Sequence, residues 1–173
     1  EYAILNVPES AMDLVAGAVE VEYVEKPKRM YFAVREGKQA SCITPLQDAH
    51  YNLTGKGVIV AILDSGIDYS HPDFCNVDGS TRILALYDET LNREFTSEEI
   101  NQALKAESEQ ERFRIVPSRD TSGHGTHVAG IAAGNGRASG GVNQGVAYES
   151  PLLVVKLGTA DPNGFPRTTQ LMR

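Results

Sequence analysis

Two short segments of this chain hold side chains that can do acid–base chemistry. In Leu63-Asp64-Ser65-Gly66-Ile67-Asp68, a carboxylate closes an apolar run and a glycine turn follows at once. In Ser122-Gly123-His124-Gly125-Thr126-His127, an imidazole sits between two glycines. A carboxylate that accepts one ring N–H of an imidazole fixes its tautomer. It also stabilises the cation formed when the other ring nitrogen takes a proton. Asp64 and His124 can therefore act as orienting acid and general base for a nucleophile. On residue types alone, plainer readings stand beside this one: Asp64 as a turn cap, and His124 as a hydrogen-bonded structural histidine. His127 reads as a packing or hydrogen-bonding residue. A metal site of His124 and His127 with Asp73 or Asp120 is the remaining option, but His-Gly-Thr-His lacks the spacing and glutamate of the zinc-protease helix.

The elements needed to position this pair are legible nearby. Gly57-Val58-Ile59-Val60-Ala61-Ile62-Leu63 is almost unbroken apolar sequence, the pattern of a parallel strand covered on both faces. Pro151-Leu152-Leu153-Val154-Val155-Lys156-Leu157 repeats it. Between them, Thr126 to Ala133 predicts a helix of small residues able to pack closely on a sheet. Strand, helix, strand in this order predicts a βαβ unit with a right-handed crossover, hence an α/β fold. Ile83 to Tyr87 is a further apolar run, and Thr96 with Glu99 forms a capping box that opens a helix. The acid-rich stretch from Glu107 to Arg114 predicts a solvated face or a loop.

The first 39 residues read as a separate small module. Tyr2–Val7, Val21–Glu25 and Met30–Val34 predict strands, Glu9–Ala16 a short helix, and Arg35–Gln39 an exposed, flexible stretch open to proteolysis. Two domains are therefore expected, at 1–39 and 40–173.

Bulk properties exclude several classes. At 173 residues, 41% apolar and 23% charged, the composition suits a globular protein. A net charge of −7 gives no attraction to nucleic acid or an anionic membrane. No apolar stretch approaches the roughly 20 residues that cross a bilayer, and Glu1-Tyr2-Ala3-Ile4 does not begin a signal peptide. Cys42 and Cys75 have no metal-ligand spacing and are expected as two unpaired, largely buried thiols.

The order acid, then imidazole, with a nucleophile still to come, is that of subtilisin. The motifs agree with it. Val60 to Asp68, followed by His71-Pro72-Asp73-Phe74, resembles the aspartate signature of the subtilisin-like serine proteases, the subtilases. Asp120-Thr121-Ser122-Gly123-His124-Gly125-Thr126-His127-Val128-Ala129-Gly130 resembles their histidine signature. Gly145-Val146-Ala147 and Leu152 to Leu157 look like the strand that follows, so the resemblance runs through residues 55 to 157.

This resemblance implies a mostly parallel subtilisin-like sheet with flanking helices, preceded by a small α+β propeptide-like module. It implies a serine endopeptidase in which Asp64 orients His124 and His124 deprotonates a serine. Gly158, Thr159, Ala160 and Asp161 fall where the family lines its substrate groove with an edge strand. Autoprocessing would fall near Gln39-Ala40. The implied partners are a peptide or protein substrate, the chain's own propeptide, and the remaining C-terminal part of the catalytic domain. The implied location is extracellular, cell-envelope or spore-associated. No cofactor is expected. Calcium is frequent in the family, but the Gly134-to-Gly145 loop does not match its calcium loop, so no metal site is assigned.

The departures are as specific as the matches. The family's Gly-Thr-Ser-x-Ala segment and the later oxyanion asparagine are absent from these residues. Ser65, Ser70 and Ser122 lie inside the other signatures and are poor substitutes, and there is no Gly-x-Ser-x-Gly elbow. The chain alone is therefore expected to be inactive, with the nucleophile beyond it. The stretch between Asp64 and His124 is longer than in compact subtilases. The alternative reading is a non-catalytic subtilase-like protein that binds peptides or a protease.

Overall fold

Alternating burial along the apolar runs decides how the sheet is used. In the computed structural model, which describes residues 7–24 and 34–158, the run before Asp64 forms β1 (Val60–Asp64). The run from Ile83 forms β2 (Ile83–Asp88), which turns back antiparallel into β3 (Arg93–Thr96). The last run forms β4 (Leu152–Lys156), which lies parallel between β1 and β2. The order is β1-β4-β2-β3. Val60 pairs with Leu152 and Asp64 with Lys156, so the carboxyl ends of β1 and β4 finish level.

Both faces of β1 were expected to be covered. Instead Ile62 and Asp64 are buried while Leu63 is 59% exposed, and Leu153 of β4 and Leu84 of β2 are exposed too. Among the described residues, the packed helices serve one face. Ala129 and Ala133 on one helix, and Ile100 and Ala103 on another, join Ile62, Ile83, Leu86, Phe95, Leu152 and Val154 in a single buried cluster.

The helices follow from local sequence. In the first of two compact units, Glu1–Phe32, a 3-10 turn at Glu9–Ala11 runs into α1 (Met12–Ala16), as predicted. Val21–Val24 forms no strand, and the strands expected at Tyr2–Val7 and Met30–Val34 lie almost wholly outside the described residues. The second unit is Ala33–Arg173 and opens with α2 (Val34–Ala40). A flexible stretch was expected here. Arg35, Glu36, Lys38, Gln39 and Ala40 are strong helix formers that outweigh Gly37, and the Lys38 ammonium donates to the carbonyls of Gln144 (3.4 Å) and Gly145 (3.2 Å).

The capping box starts α3 (Ser97–Leu104): the Glu99 N–H donates to Thr96 Oγ1 at 3.4 Å and the Thr96 N–H to Glu99 Oε2 at 2.9 Å. The acidic stretch is not a loop but α4 (Glu109–Ile115), capped by Ser108, because Phe113 and Ile115 give it an apolar edge against the core. The small-residue helix is α5 (His124–Ala133). Both cysteines are free thiols; Cys75 is buried, whereas Cys42 is exposed, contrary to expectation. Cys42 lies two residues beyond the solvent-facing end of α2.

Arg82 ties the far end of α5 to the sheet. Its guanidinium donates to the carbonyls of Asp73 (2.9 Å), Ala133 (2.7 Å) and Ser150 (2.5 Å). Cations are favoured near a helix carboxyl end. Arg82→Met keeps the stem but removes the donor to the Ala133 and Ser150 carbonyls, while the Asp73 carbonyl keeps the Asn135 N–H at 3.1 Å, so unfolding free energy should fall by about 2 kcal/mol in urea titrations. An unchanged midpoint would mean that water replaces the guanidinium at no cost.

Candidate active site

Asp64 is the last residue of β1, and its backbone carbonyl accepts the Leu157 N–H at 2.8 Å, locking it to the exit of β4. Its side chain lies beneath the start of α5. Asp64 Oδ1 accepts the Ser65 N–H at 2.7 Å and stands 2.7 Å from His124 Nδ1. The carboxylate side chain is 11% exposed and the imidazole 50% exposed. One end of the pair is thus shielded from water while the ring remains open to a reactant. A hydrogen bond from Nδ1 to Oδ1 places the proton on Nδ1 and makes Nε2 the basic nitrogen.

The helix start is built to bring the ring there. Gly123, at φ 76°, takes the left-handed conformation that a residue with a side chain resists. The N–H groups that no helical carbonyl reaches find other acceptors. Gly123 N–H donates to Asp120 Oδ1 at 3.0 Å, His124 N–H to Ser122 Oγ at 3.1 Å, Gly125 N–H to Ser65 Oγ at 2.9 Å and Thr126 N–H to Asp120 Oδ2 at 2.8 Å. Asp120, weighed in the sequence only as a possible metal ligand, is therefore a helix cap. The signal for it was present: a short acidic side chain just ahead of a predicted helix start.

Burial pushes the Asp120 carboxyl up, but donors from Thr126, Ser65 and Gly123 together outweigh it and hold Asp120 below the usual carboxylate range. A carboxylate depressed in the folded state stabilises fully above its unfolded value of roughly 3.9, and loses that contribution as pH falls through the lower folded value. Denaturation measured from neutral pH downwards should show stability falling below about pH 4. Asp120→Asn should make that fall shallower; an equally steep profile would assign the acid sensitivity to other carboxylates.

Asp88 is one such carboxylate, at the end of β2. It is fully buried, accepts the Ser118 hydroxyl at 2.6 Å and lies 3.3 Å from the Lys156 ammonium. Burial pushes Asp88 up, but Ser118, Thr90 and Lys156 together hold it low.

The other predicted site residues are placed as follows. Gly158 leaves β4 with its N–H donating to Glu89 Oε2 at 2.7 Å, a contact not foreseen from sequence. Thr159, Ala160 and Asp161 lie outside the described residues. Gln39 and Ala40 form the exposed last turn of α2, with the Gln39 carbonyl accepting the Cys42 N–H at 3.1 Å. Among the described residues, no three His, Cys, Asp or Glu side chains are grouped so as to hold a metal. Both Asp120 oxygens are already engaged, and Asp73 Oδ1 accepts the Ala138 N–H at 2.8 Å.

With this geometry in hand, similarity to known proteins becomes specific. Residues 55–172 match the subtilase family of S8 peptidases. The chain belongs to the subtilase family. It is 38% identical over 103 residues to an intracellular serine protease of Paenibacillus polymyxa, covering 60% of this chain and 24% of that protein. It is also 38% identical over 104 residues to a subtilisin of Bacillus pumilus, covering 60% of this chain and 27% of that one. Among solved structures, the Clostridium perfringens CspB protease superposes with a TM-score of 0.71 at 44% identity, over 79% of this chain and 28% of that one. This subtilase chain thus spans about a quarter of the length of these relatives. Its parallel-dominant four-stranded sheet with flanking helices is the subtilisin-like α/β fold. One of these relatives is named as intracellular, so the family does not by itself assign a compartment. Among the described residues, no helix is long and apolar enough to cross a membrane.

Proposed function

We propose that this subtilase sequence supplies the acid and the base of a serine endopeptidase. In that reading Asp64 orients, His124 takes the proton, and the seryl nucleophile and oxyanion donor come from sequence outside these 173 residues. The observation that carries it is the 2.7 Å pairing of His124 Nδ1 with a shielded Asp64, the ring itself half exposed. His124 Nε2 would accept the serine hydroxyl proton as the oxygen attacks a peptide carbonyl. The same nitrogen would return the proton to the departing amine, and water would then release the acyl group by the reverse relay. The 173-residue chain by itself is expected to hydrolyse nothing.

Other parts of the reading follow from it. A substrate peptide would pair in extended form along the edge strand from Gly158 to Asp161, with Glu89 holding the first N–H of that edge. Residues 1–39 would act as a propeptide for the catalytic part at 40–173. Cleavage at Gln39-Ala40 would require the last turn of α2 to unwind, since a scissile bond must be presented extended. Neither nucleic acid nor membrane is a proposed partner, and no cofactor is invoked. The proposed location is extracellular, cell-envelope or spore-associated, which fractionation of producing cells checks.

Fluorophosphonate labelling of the full-length protein, followed by intact-mass measurement, tests the central claim. A single adduct that disappears in His124→Ala is expected, together with an N-terminal cut near Gln39-Ala40. A folded full-length protein with neither adduct nor cut would instead be a non-catalytic subtilase that binds peptides or a protease.

A further inference from the structure

Asp120 does more than cap a helix, because its two oxygens join the segments that carry the acid and the base. Oδ1 accepts the Ser65 hydroxyl at 2.8 Å, from the residue directly after Asp64. The same oxygen accepts the Gly123 N–H at 3.0 Å, from the residue directly before His124. Oδ2 accepts both the N–H (2.8 Å) and the hydroxyl (2.5 Å) of Thr126. The Thr126 hydroxyl in turn accepts the Asp68 N–H at 2.8 Å, which returns the connection to the loop after β1. The Ser65 oxygen also accepts the Gly125 N–H (2.9 Å) and the Ser122 hydroxyl (2.8 Å).

We propose that Asp120, acting through the hydroxyls of Ser65 and Thr126, is a positioning residue that sets the Asp64–His124 distance and so the rate of the chemical step. This rests on the catalytic reading of that pair. The bonds are directional and converge from both sides of the dyad. They also include two donors at the positive end of α5, where a carboxylate is favoured. Beside this clasp, the Asp64 loop and the α5 start meet through the close backbone approach of Gly66 and Gly125, the buried cluster that Ile67 and Ala129 share, and the dyad bond itself. A catalytic pair must stay within roughly 0.5 Å of its productive geometry, and a misplacement of about 1 Å can cost about 100-fold in rate. The Asp120 oxygens bond to residues that flank the acid and the base, so its effect is on alignment.

Asp120→Asn tests this because an amide NH2 must face N–H and O–H donors on one side. Ser65→Ala breaks the same clasp more gently, and Thr126→Ser retains every bond that the hydroxyl makes. In the full-length protein labelled with 15N-histidine, the wild type should show a downfield His124 Nδ1 proton, absent in Asp64→Asn. Asp120→Asn and Ser65→Ala should shift that signal upfield or broaden it at temperatures where circular dichroism reports folded protein, while Thr126→Ser leaves it in place. On a peptide substrate, kcat should fall about 10- to 100-fold with KM within about twofold, and Thr126→Ser should stay near wild type. Asp120→Asn and Ser65→Ala retaining both the Nδ1 signal and kcat, however much their melting temperature drops, would reduce Asp120 to a helix cap and overturn the proposal. If the wild type itself cleaves nothing, the catalytic reading fails, and the Nδ1 signal alone still decides whether Asp120 aligns the pair.

Discussion

Asp64→Asn in the full-length protein is expected to lower kcat by about 10,000-fold with little loss of stability. The substitution changes one atom and preserves the shape of a side chain that already accepts the Ser65 N–H. What it removes is the charge facing His124 Nδ1 at 2.7 Å. An amide that turns its NH2 toward the ring makes Nδ1 an acceptor and leaves the proton on Nε2, the nitrogen that must receive the serine proton. An amide that turns its carbonyl keeps the tautomer but no longer stabilises the imidazolium. Either orientation defeats the base, and KM should change little because Asp64 is shielded from any substrate. The checks are steady-state kinetics beside thermal melting. A fall smaller than tenfold in a folded variant would remove Asp64 from the mechanism and leave it as a turn residue.

Gly125→Ala should be nearly as damaging, for a steric reason. A Cβ at Gly125 would meet the Gly66 carbonyl oxygen well inside contact distance, and would lie 3.1 Å from Asp64 Cβ and 3.1 Å from Gly66 N. These are mostly backbone atoms at the end of a sheet strand, so α5 must move as a body away from the acid. Destabilisation of about 3 kcal/mol is expected by chemical denaturation, with kcat reduced at least about 100-fold. Gly130→Ala on the same helix is the matched control. Nothing lies within 4 Å of its added Cβ, and relief of glycine's poor helix propensity should stabilise it by up to about 1 kcal/mol. Equal behaviour of the two variants would show that helix propensity, not close approach, governs this helix.

The contrast between these glycines marks the limit of reading residues in order. His124 between two glycines suggested close approach, but which atom approaches depends on how α5 seats on β1. Nothing local to residues 123–125 specifies the carbonyl of Gly66. The same holds for Asp120. Its place ahead of a helix predicts a cap, whereas its bond to Ser65 depends on a loop 55 residues away folding back onto it. The Glu89–Gly158 bond is a contact of that kind as well, formed because β2 and β4 end side by side.

Errors of local reading have equally plain causes. The polar character of Arg35–Gln39 predicts a loose stretch, yet helix propensity and the Lys38 anchor place it inside α2. The apolar run of β1 predicts cover on both faces, and among the described residues one face is packed. Hydrophobicity records what a residue tolerates, and only the positions of the helices decide which face is packed.

By itself the sequence determined the β1–α5–β4 unit, the capped helix at Thr96, and the identity of an acid and an imidazole in subtilase order. Those properties are written in short stretches, through periodicity, capping residues and signature motifs, and need no knowledge of distant neighbours. Only the tertiary structure decided that the two side chains meet at 2.7 Å, which of them is shielded, and which hydroxyls hold them together. Distance and dielectric arise between segments that the chain separates by 60 residues, and packing alone brings them together.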